Sequence, residues 1–341
     1  MDKMRSVISK INRKPTKKYN ILSFPTHEGY QTLLGKTGHN FHLLDRGGES
    51  KKWDSRYRKL PENTKIVDNC YDDLSIDFIL SNERFGQLQF ALELSMHYRI
   101  PIIHLEHIEP QIDRWSDEEF ESLKLLKGDM NVFITNHNKN SWGSTDGKVI
   151  AHGIDTDVFN GWTYPESRDC YVLYVVNQLE ARDYFCGYSE WMKVQEIVKS
   201  KREGIKFRLV GDNPGLSKPV SSETELNDIM KNCLCYVNTT RLSPLPMSLL
   251  EGMSCGCPVV STANQQVPEL LSGGVGISSN DLNVLADSII RIYDDRKWAE
   301  GLGRNSRKKI EEEYGLQHFI NKWNNAFDEA YNINVGKREE N

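Results

Sequence analysis

The stretch VNTTRLSPLPMSLLEGMSCGCPVVST, residues 237–262, decides how the rest of the chain is read. Residues 233–238, CLCYVN, are an apolar run with the length of a buried strand. Residues 239–246 carry two prolines and several hydroxyls, which suits a loop. Residues 247–253 predict a helix, the small and Gly/Pro residues of 254–258 stop it, and 258–262 predict the next strand. In such a unit the helix N-terminus, with its free amides and positive dipole end, points at the mouth of a parallel sheet, where a phosphate-bearing ligand binds.

Working outward, the same alternation recurs. Strands are predicted at 171–177 and 205–210, the latter ending in GDNPG, and helices at 188–200, 223–231 and 282–293, before a charged helical tail over 296–331. Gly211 allows a tight turn or a close approach to a ligand. The first half predicts strands at 18–25, 40–44, 76–81, 100–107 and 130–135, with helices at 85–98, 118–126 and 136–142. Residues 45–65 show no clear period but hold charge, Trp53 and Tyr57, and read as a surface excursion where an acceptor could be contacted. His27 and Glu28 follow the first strand, at the rim of its sheet; as isolated residues they read as surface polar groups or as acceptor contacts. The strand IPIIHLEH, 100–107, carries two histidines: His104 reads as a core residue bonded to backbone, and His107 stands at the carboxyl end, within reach of a ligand. The fold class is α/β, two Rossmann-like halves with mostly parallel sheets whose carboxyl ends face a cleft, joined by a linker around 160–168.

A chain of 341 residues suits two domains of roughly 150 residues each. No apolar run reaches the roughly 18 residues of a membrane span, and the N-terminus lacks a signal-peptide core, so a cytoplasmic protein is expected. Seven scattered cysteines fit reduced, apolar packing; the CxC pairs 233/235 and 255/257 lack the CxxC spacing of a zinc site. Residues 1–65 hold 15 Lys/Arg against 6 Asp/Glu, while the whole chain is at -5. This basic face suits a polyanion such as DNA or a membrane surface, and equally a solvated surface with a loose tail.

Together these motifs resemble the retaining nucleotide-sugar glycosyltransferases of the GT-B type, the family 4 group that includes sucrose-phosphate and phosphatidylinositol mannosyl enzymes. KTGHNF (36–41), PIIHLEH (101–107), HGIDTDVF (152–159), LVGDNP (209–214), LLEGMSCGCPVVST (249–262) and VPELL (267–271) match the family's signature segments in order and spacing. The compressed layout, with PTHEGYQ and VGDNPGLSKP, also resembles short bacteriophage-type members.

The resemblance implies an acceptor-side domain over 1–162, completed by a helix at about 319–335 through Phe319, Trp323 and Phe327, and a donor-binding domain over 168–318. Glu251 matches the second glutamate of the family's E-x7-E motif, which holds the donor ribose; the first is replaced here by Ser243. Ser243 or the backbone around Pro244, Leu245 and Met247 would then meet the sugar. The family's diphosphate-clamping Arg falls near Gln178, and only Arg182 lies near its Lys. Asn177, Gly211, Asp212 and Ser217 complete the donor set, with the base resting against 216–222, and His107 would hold the sugar. The expected reaction is a front-face transfer from a UDP- or GDP-sugar to a hydroxyl of a glycan, glycolipid or modified DNA base. No metal or other cofactor is expected, and DDL at 72–74 is not a metal motif. The competing readings are a sugar-nucleotide epimerase or hydrolase, which would turn over donor without acceptor, and a nucleotide-sugar binding module without turnover.

Overall fold

The computed structural model describes residues 17–47, 51–68, 75–165 and 171–339. The basic stretch 1–16, the DDL at 72–74 and the linker end at 166–168 lie outside the described residues. The chain divides into two compact units, Met1–Gly153 with Leu316–Asn341, and Ile154–Gly315.

The first unit is built on a parallel sheet of strands β1 (Asn20–Ser23), β2 (Asn40–Leu44), β3 (Thr64–Val67), β4 (Phe78–Ser81), β5 (Ile102–Glu106), β6 (Met130–Phe133) and β7 (Lys148–Val149), in the order β3-β2-β1-β4-β5-β6-β7. Helices α1 (Glu28–Gly35), α2 (Gln89–Tyr98), α3 (Asp117–Leu125) and α4 (Asn136–Ser141) connect them. The central strands read as apolar runs because both sheet faces are covered. One face meets α2 through Leu22, Ile79 and Ala91. Edge strand β3, TKIV, is mostly exposed, which is why residues 45–65 and the strand after them carry no apolar signal. Helix α3 starts at a full capping box, Ser116 with Glu119. Ahead of α2 runs a wide turn, Arg84–Leu88, in which Phe85 (ψ 117°) and Gly86 (φ 68°) leave helical geometry.

The second unit holds β8 (Tyr171–Val175), β9 (Lys206–Val210), β10 (Cys233–Asn238), β11 (Val259–Ser261) and β12 (Ile277–Ser278), parallel in the order β12-β11-β10-β8-β9. Its helices are α5 (Asp183–Cys186), α6 (Tyr188–Lys201), α7 (Glu223–Lys231), α8 (Met247–Cys255), α9 (Val267–Leu270), α10 (Leu282–Asp294) and α11 (Arg296–Lys309). Every residue of α8 from Leu249 to Cys255 is buried, so this helix sits inside the unit. Gly252 permits it: a Cβ there would lie 2.9 Å from the Tyr236 ring on β10. The CxC cysteines are reduced core residues, with Cys233 and Cys257 sulfurs 3.6 Å apart. Burial pushes the Cys257 thiol well up. Among the described residues no group of three His, Cys, Asp or Glu is placed to hold a metal. Nor is any helix among them long and apolar enough to cross a membrane. Residues 154–164 run along this unit, with the Trp162 indole donating to the Cys233 carbonyl at 2.8 Å.

The last helix, α12 (Leu316–Glu339), belongs to the first unit. Phe319, Trp323 and Phe327, four residues apart, are all buried. Phe327 stacks on Phe78 at 5.4 Å and Trp323 donates to the Tyr30 hydroxyl at 3.0 Å, covering the second face of the first sheet.

Candidate active site

In each sheet the strand order reverses at one point, and the crevice outside the carboxyl ends of the two strands flanking that point is where an open α/β sheet binds its ligand. In the second unit these strands are β8 and β10. The segments leaving them are 176–182 and the loop 239–246 that feeds α8.

The segment after β8 is tied to the GDN loop after β9. Asn177 Oδ1 accepts the Asp212 N–H at 2.8 Å, and the Gln178 N–H donates to the Asp212 carbonyl at 2.8 Å. Gly211 has φ 126°, and a Cβ there would lie 2.1 Å from the Val176 carbonyl oxygen, so only glycine allows this approach. Asn213, 1% exposed, is the hub: its Oδ1 accepts from the Leu179 N–H at 2.7 Å and its Nδ2 donates to the Val176 carbonyl and the Ser217 hydroxyl, both at 2.8 Å. The Ser217 hydroxyl donates onward to the Gly211 carbonyl at 2.9 Å, so this residue shapes the loop from within. Asn213 had a readable signal, since an Asn two residues after a tight-turn Gly can bond nearby backbone.

Helix α8 begins with Pro246 as N-cap and no side-chain cap, so its first amides are left for another acceptor. Its first turn is braced: Ser248 donates to the Val175 carbonyl at 2.9 Å and accepts from the Tyr236 hydroxyl at 2.8 Å. Met247 is half-buried at the helix start, and Glu251 is 5% exposed one turn further on. Ser243 is half-buried in the loop, while the Pro244 and Leu245 side chains are buried. Leu245 can therefore meet a ligand only through backbone.

The cations divide by role. Arg182 is exposed, with its guanidinium carbon 5.7 Å from the Phe185 ring. Arg241, in the loop itself, is gripped by Glu190 at 2.7 Å (Nε) and 2.6 Å (Nη2), which raises its pKa and ties the loop to α6. Gln178 occupies the left-handed region, φ 55°.

In the first unit the reversal lies between β1 and β4. His27 caps α1, its Nδ1 accepting the Tyr30 N–H at 3.2 Å. Glu28 is not the surface group its isolation suggested: it is 7% exposed and pairs with Lys51 at 3.0 Å, pinning the excursion loop to α1 because a buried carboxylate needs a partner. His107 stacks on His27 at 5.9 Å and on His152 at 6.5 Å and meets the Tyr30 ring edge-on at 4.7 Å. Burial, and next the neighbouring His27 and His152, keep its imidazole well below its usual range, hence neutral. Its Nε2 is buried without a hydrogen-bond partner. His104 is a core residue, but bonded to a carboxylate rather than to backbone: its Nε2 lies 3.4 Å from Glu106, which also takes the Arg84 Nε–H at 2.7 Å. Nothing in the local sequence announces that ion pair, because its partners are 22 residues apart.

Residues 186–309 match the model of glycosyl transferases group 1. The matched segment lies within the second unit. Over 40% of its length the chain is 25% identical to 32% of the poly(ribitol-phosphate) alpha-N-acetylglucosaminyltransferase of Staphylococcus aureus. The chain spans about a third of the length of the curated relatives it matches. Sucrose-phosphate synthase from Thermosynechococcus elongatus superposes with a TM-score of 0.72 at 13% identity, over 93% of this chain and 100% of that one. HepE from Anabaena, solved in complex with UDP, superposes with a TM-score of 0.70 at 15% identity, over 90% and 98% of the two chains. The fold is GT-B.

Proposed function

We propose that this protein is a retaining, metal-independent hexosyltransferase that moves a sugar from a nucleotide-sugar, UDP-linked first among the candidates, to an acceptor hydroxyl. The observation that carries the reading is the switch point of the second sheet, where the uncapped α8 N-terminus, the Gly211 loop and the buried Glu251 come together in the family's own segment. On this reading Glu251 accepts the paired ribose hydroxyls. The α8 amides and Arg182 meet the diphosphate as charge develops on the leaving group. Ser243 and the Leu245 backbone stand where the sugar is positioned. The neutral His107 offers Nε2 to a substrate hydroxyl, and the departing phosphate helps take the acceptor proton. The UDP held by HepE supports the choice of base. Activity in the cytoplasm, on a glycan, glycolipid or modified DNA base, belongs to the same proposal.

The test is thermal shift and calorimetry with UDP-, GDP- and ADP-sugars, followed by turnover with glycan, lipid and DNA acceptors. Glu251→Ala should weaken the best donor by roughly ten- to a hundredfold, as expected for losing charge-assisted hydrogen bonds. If none of the three donors shifts the wild type, the reading fails. Epimer or free sugar formed at catalytic rates without acceptor would replace it with an epimerase or hydrolase.

A further inference from the structure

The wide turn after β4 holds an aromatic side chain outward. Phe85 is 39% exposed although Arg84 before it is 3% exposed and Leu88 after it is fully buried. The departure of Phe85 and Gly86 from helical geometry makes this possible, and strained or irregular backbone that persists needs fixed surroundings. Those surroundings are present. Arg84 is bonded to Glu106 and to the Leu123 and Leu126 carbonyls, and it lies 4.2 Å from the Trp142 ring. Phe85 meets Trp115 edge-to-face at 5.6 Å, and Trp115 rests in turn on Trp142 at 5.9 Å, so the pair is rigid. Ile112 (71% exposed) and Leu125 (82% exposed) are further exposed apolar residues of the 111–125 segment that carries Trp115. The patch follows the carboxyl end of β4, one of the two strands that flank the reversal in the first sheet.

Its surroundings decide what it fits. Residues 111–125 carry five carboxylates against Arg114 and Lys124. A segment of net negative charge repels a polyanion or an anionic bilayer, and it offers acceptors to hydroxyl and ammonium donors. Rigid aromatic faces beside such acceptors suit a pyranose ring, which is apolar on its C–H face and polar at its edge. We propose that Phe85 and Trp115 form a platform for a neutral or amino-bearing sugar unit of the acceptor, so that the acceptor is a glycan. This rests on the glycosyltransferase reading and narrows its acceptor class.

The test uses the full chain, fluorescently labelled, on an array of neutral, amino-bearing and acidic oligosaccharides. Flotation with phosphatidylcholine/phosphatidylglycerol vesicles and calorimetry with UDP run alongside. Wild type should be retained by neutral or amino-bearing glycans and not float with vesicles. Phe85→Ala and Trp115→Ala should each lose about tenfold of the glycan affinity, the loss of one aromatic contact with its buried area. Trp115→Phe should keep most of it, and UDP affinity should be equal in all four proteins. The platform is overturned if no glycan is retained while UDP binds, if both alanine variants retain glycan as wild type does, or if Phe85→Ala abolishes vesicle flotation. Glycan retention that depends on Phe85 in a protein that binds no UDP would sustain the platform and overturn the glycosyltransferase reading.

Discussion

Arg84→Met would break a deeply buried ion pair of the first unit. Arg84, Glu106 and His104 are 3%, 0% and 0% exposed, so the substitution leaves a buried carboxylate without its cation and takes a donor from the Leu123 and Leu126 carbonyls. Removing one partner of such a pair costs about 3–5 kcal/mol, far more than the pair contributes over an apolar replacement. Local opening of β5 would then become roughly a hundredfold to a few thousandfold more frequent, which hydrogen exchange of the 102–106 amides reads directly. The double variant Arg84→Met/Glu106→Gln should recover part of the loss, because no charge is then left buried. The pH dependence has a definite sign. Burial pushes the Glu106 carboxyl up, but His104 and Arg84 outweigh it and hold it below its ordinary value. The contribution of the pair is therefore present above the ordinary carboxylate pKa of about 4.3 and fades as pH falls below it. The gap between wild type and Arg84→Met should be widest at neutral pH and narrow in acid. Exchange at 102–106 within tenfold of wild type at neutral pH, or a double variant whose free-energy loss equals the sum of the two single losses, refutes the reasoning.

Two further outcomes follow from single side chains. His39 is fully buried, its Nδ1 accepting the Tyr19 N–H and its Nε2 facing Asn324, and burial lowers its pKa to about 4. It contributes stability above the ordinary imidazole pKa that is lost as pH falls through the folded value. Wild type should lose about 3 kcal/mol more than His39→Gln between pH 7 and pH 4 in denaturant titrations, and parallel curves would count against a neutral buried imidazole. In the second unit, Gly211→Ala places a methyl on the Val176 carbonyl in a left-handed backbone. It should cost about 1–3 kcal/mol and, on the proposed function, weaken UDP binding; a wild-type melting temperature with unchanged UDP affinity would show that the loop yields without strain.

The strands were legible because both sheets are parallel and buried on two faces, which forces near-continuous apolar runs such as IIHLE and CLCYVN. Edge strand β3 was not, since Lys65 and Ile66 are exposed and no apolar run marks it. The wide turn at 84–88 was hidden for the opposite reason: Phe85, Leu88, Ala91 and Leu92 keep helical spacing, so the pattern reads as one helix from 85 onward while the backbone leaves helical geometry at Phe85 and Gly86. The helix that carries Glu251 was legible because the small and Gly/Pro residues of 254–258 mark its end. Tyr236 and the Arg84–Glu106 pair could not, because their work is done by contacts between residues distant in the chain, for which a single sequence holds no pattern.

On the proposed function, the departures at Ser243 and Gln178 bear on how a donor would be held. An arginine in place of Gln178 would supply a fixed positive charge beside β8; here the position is in the left-handed region and its amide goes to the GDN loop. Arg241 does not substitute, because its guanidinium is bound in two places by Glu190. On the proposed function, the leaving diphosphate must then depend on the α8 amides and on exposed Arg182. Direct hydrogen bonds from amides fixed in a braced helix turn depend less on salt than the attraction of an exposed guanidinium, which is screened within a Debye length of about 8 Å at physiological ionic strength. A site of this composition is held by oriented dipoles more than by net charge. The Tyr236–Ser248–Val175 brace that aims those dipoles therefore matters to donor binding as much as any cation near it.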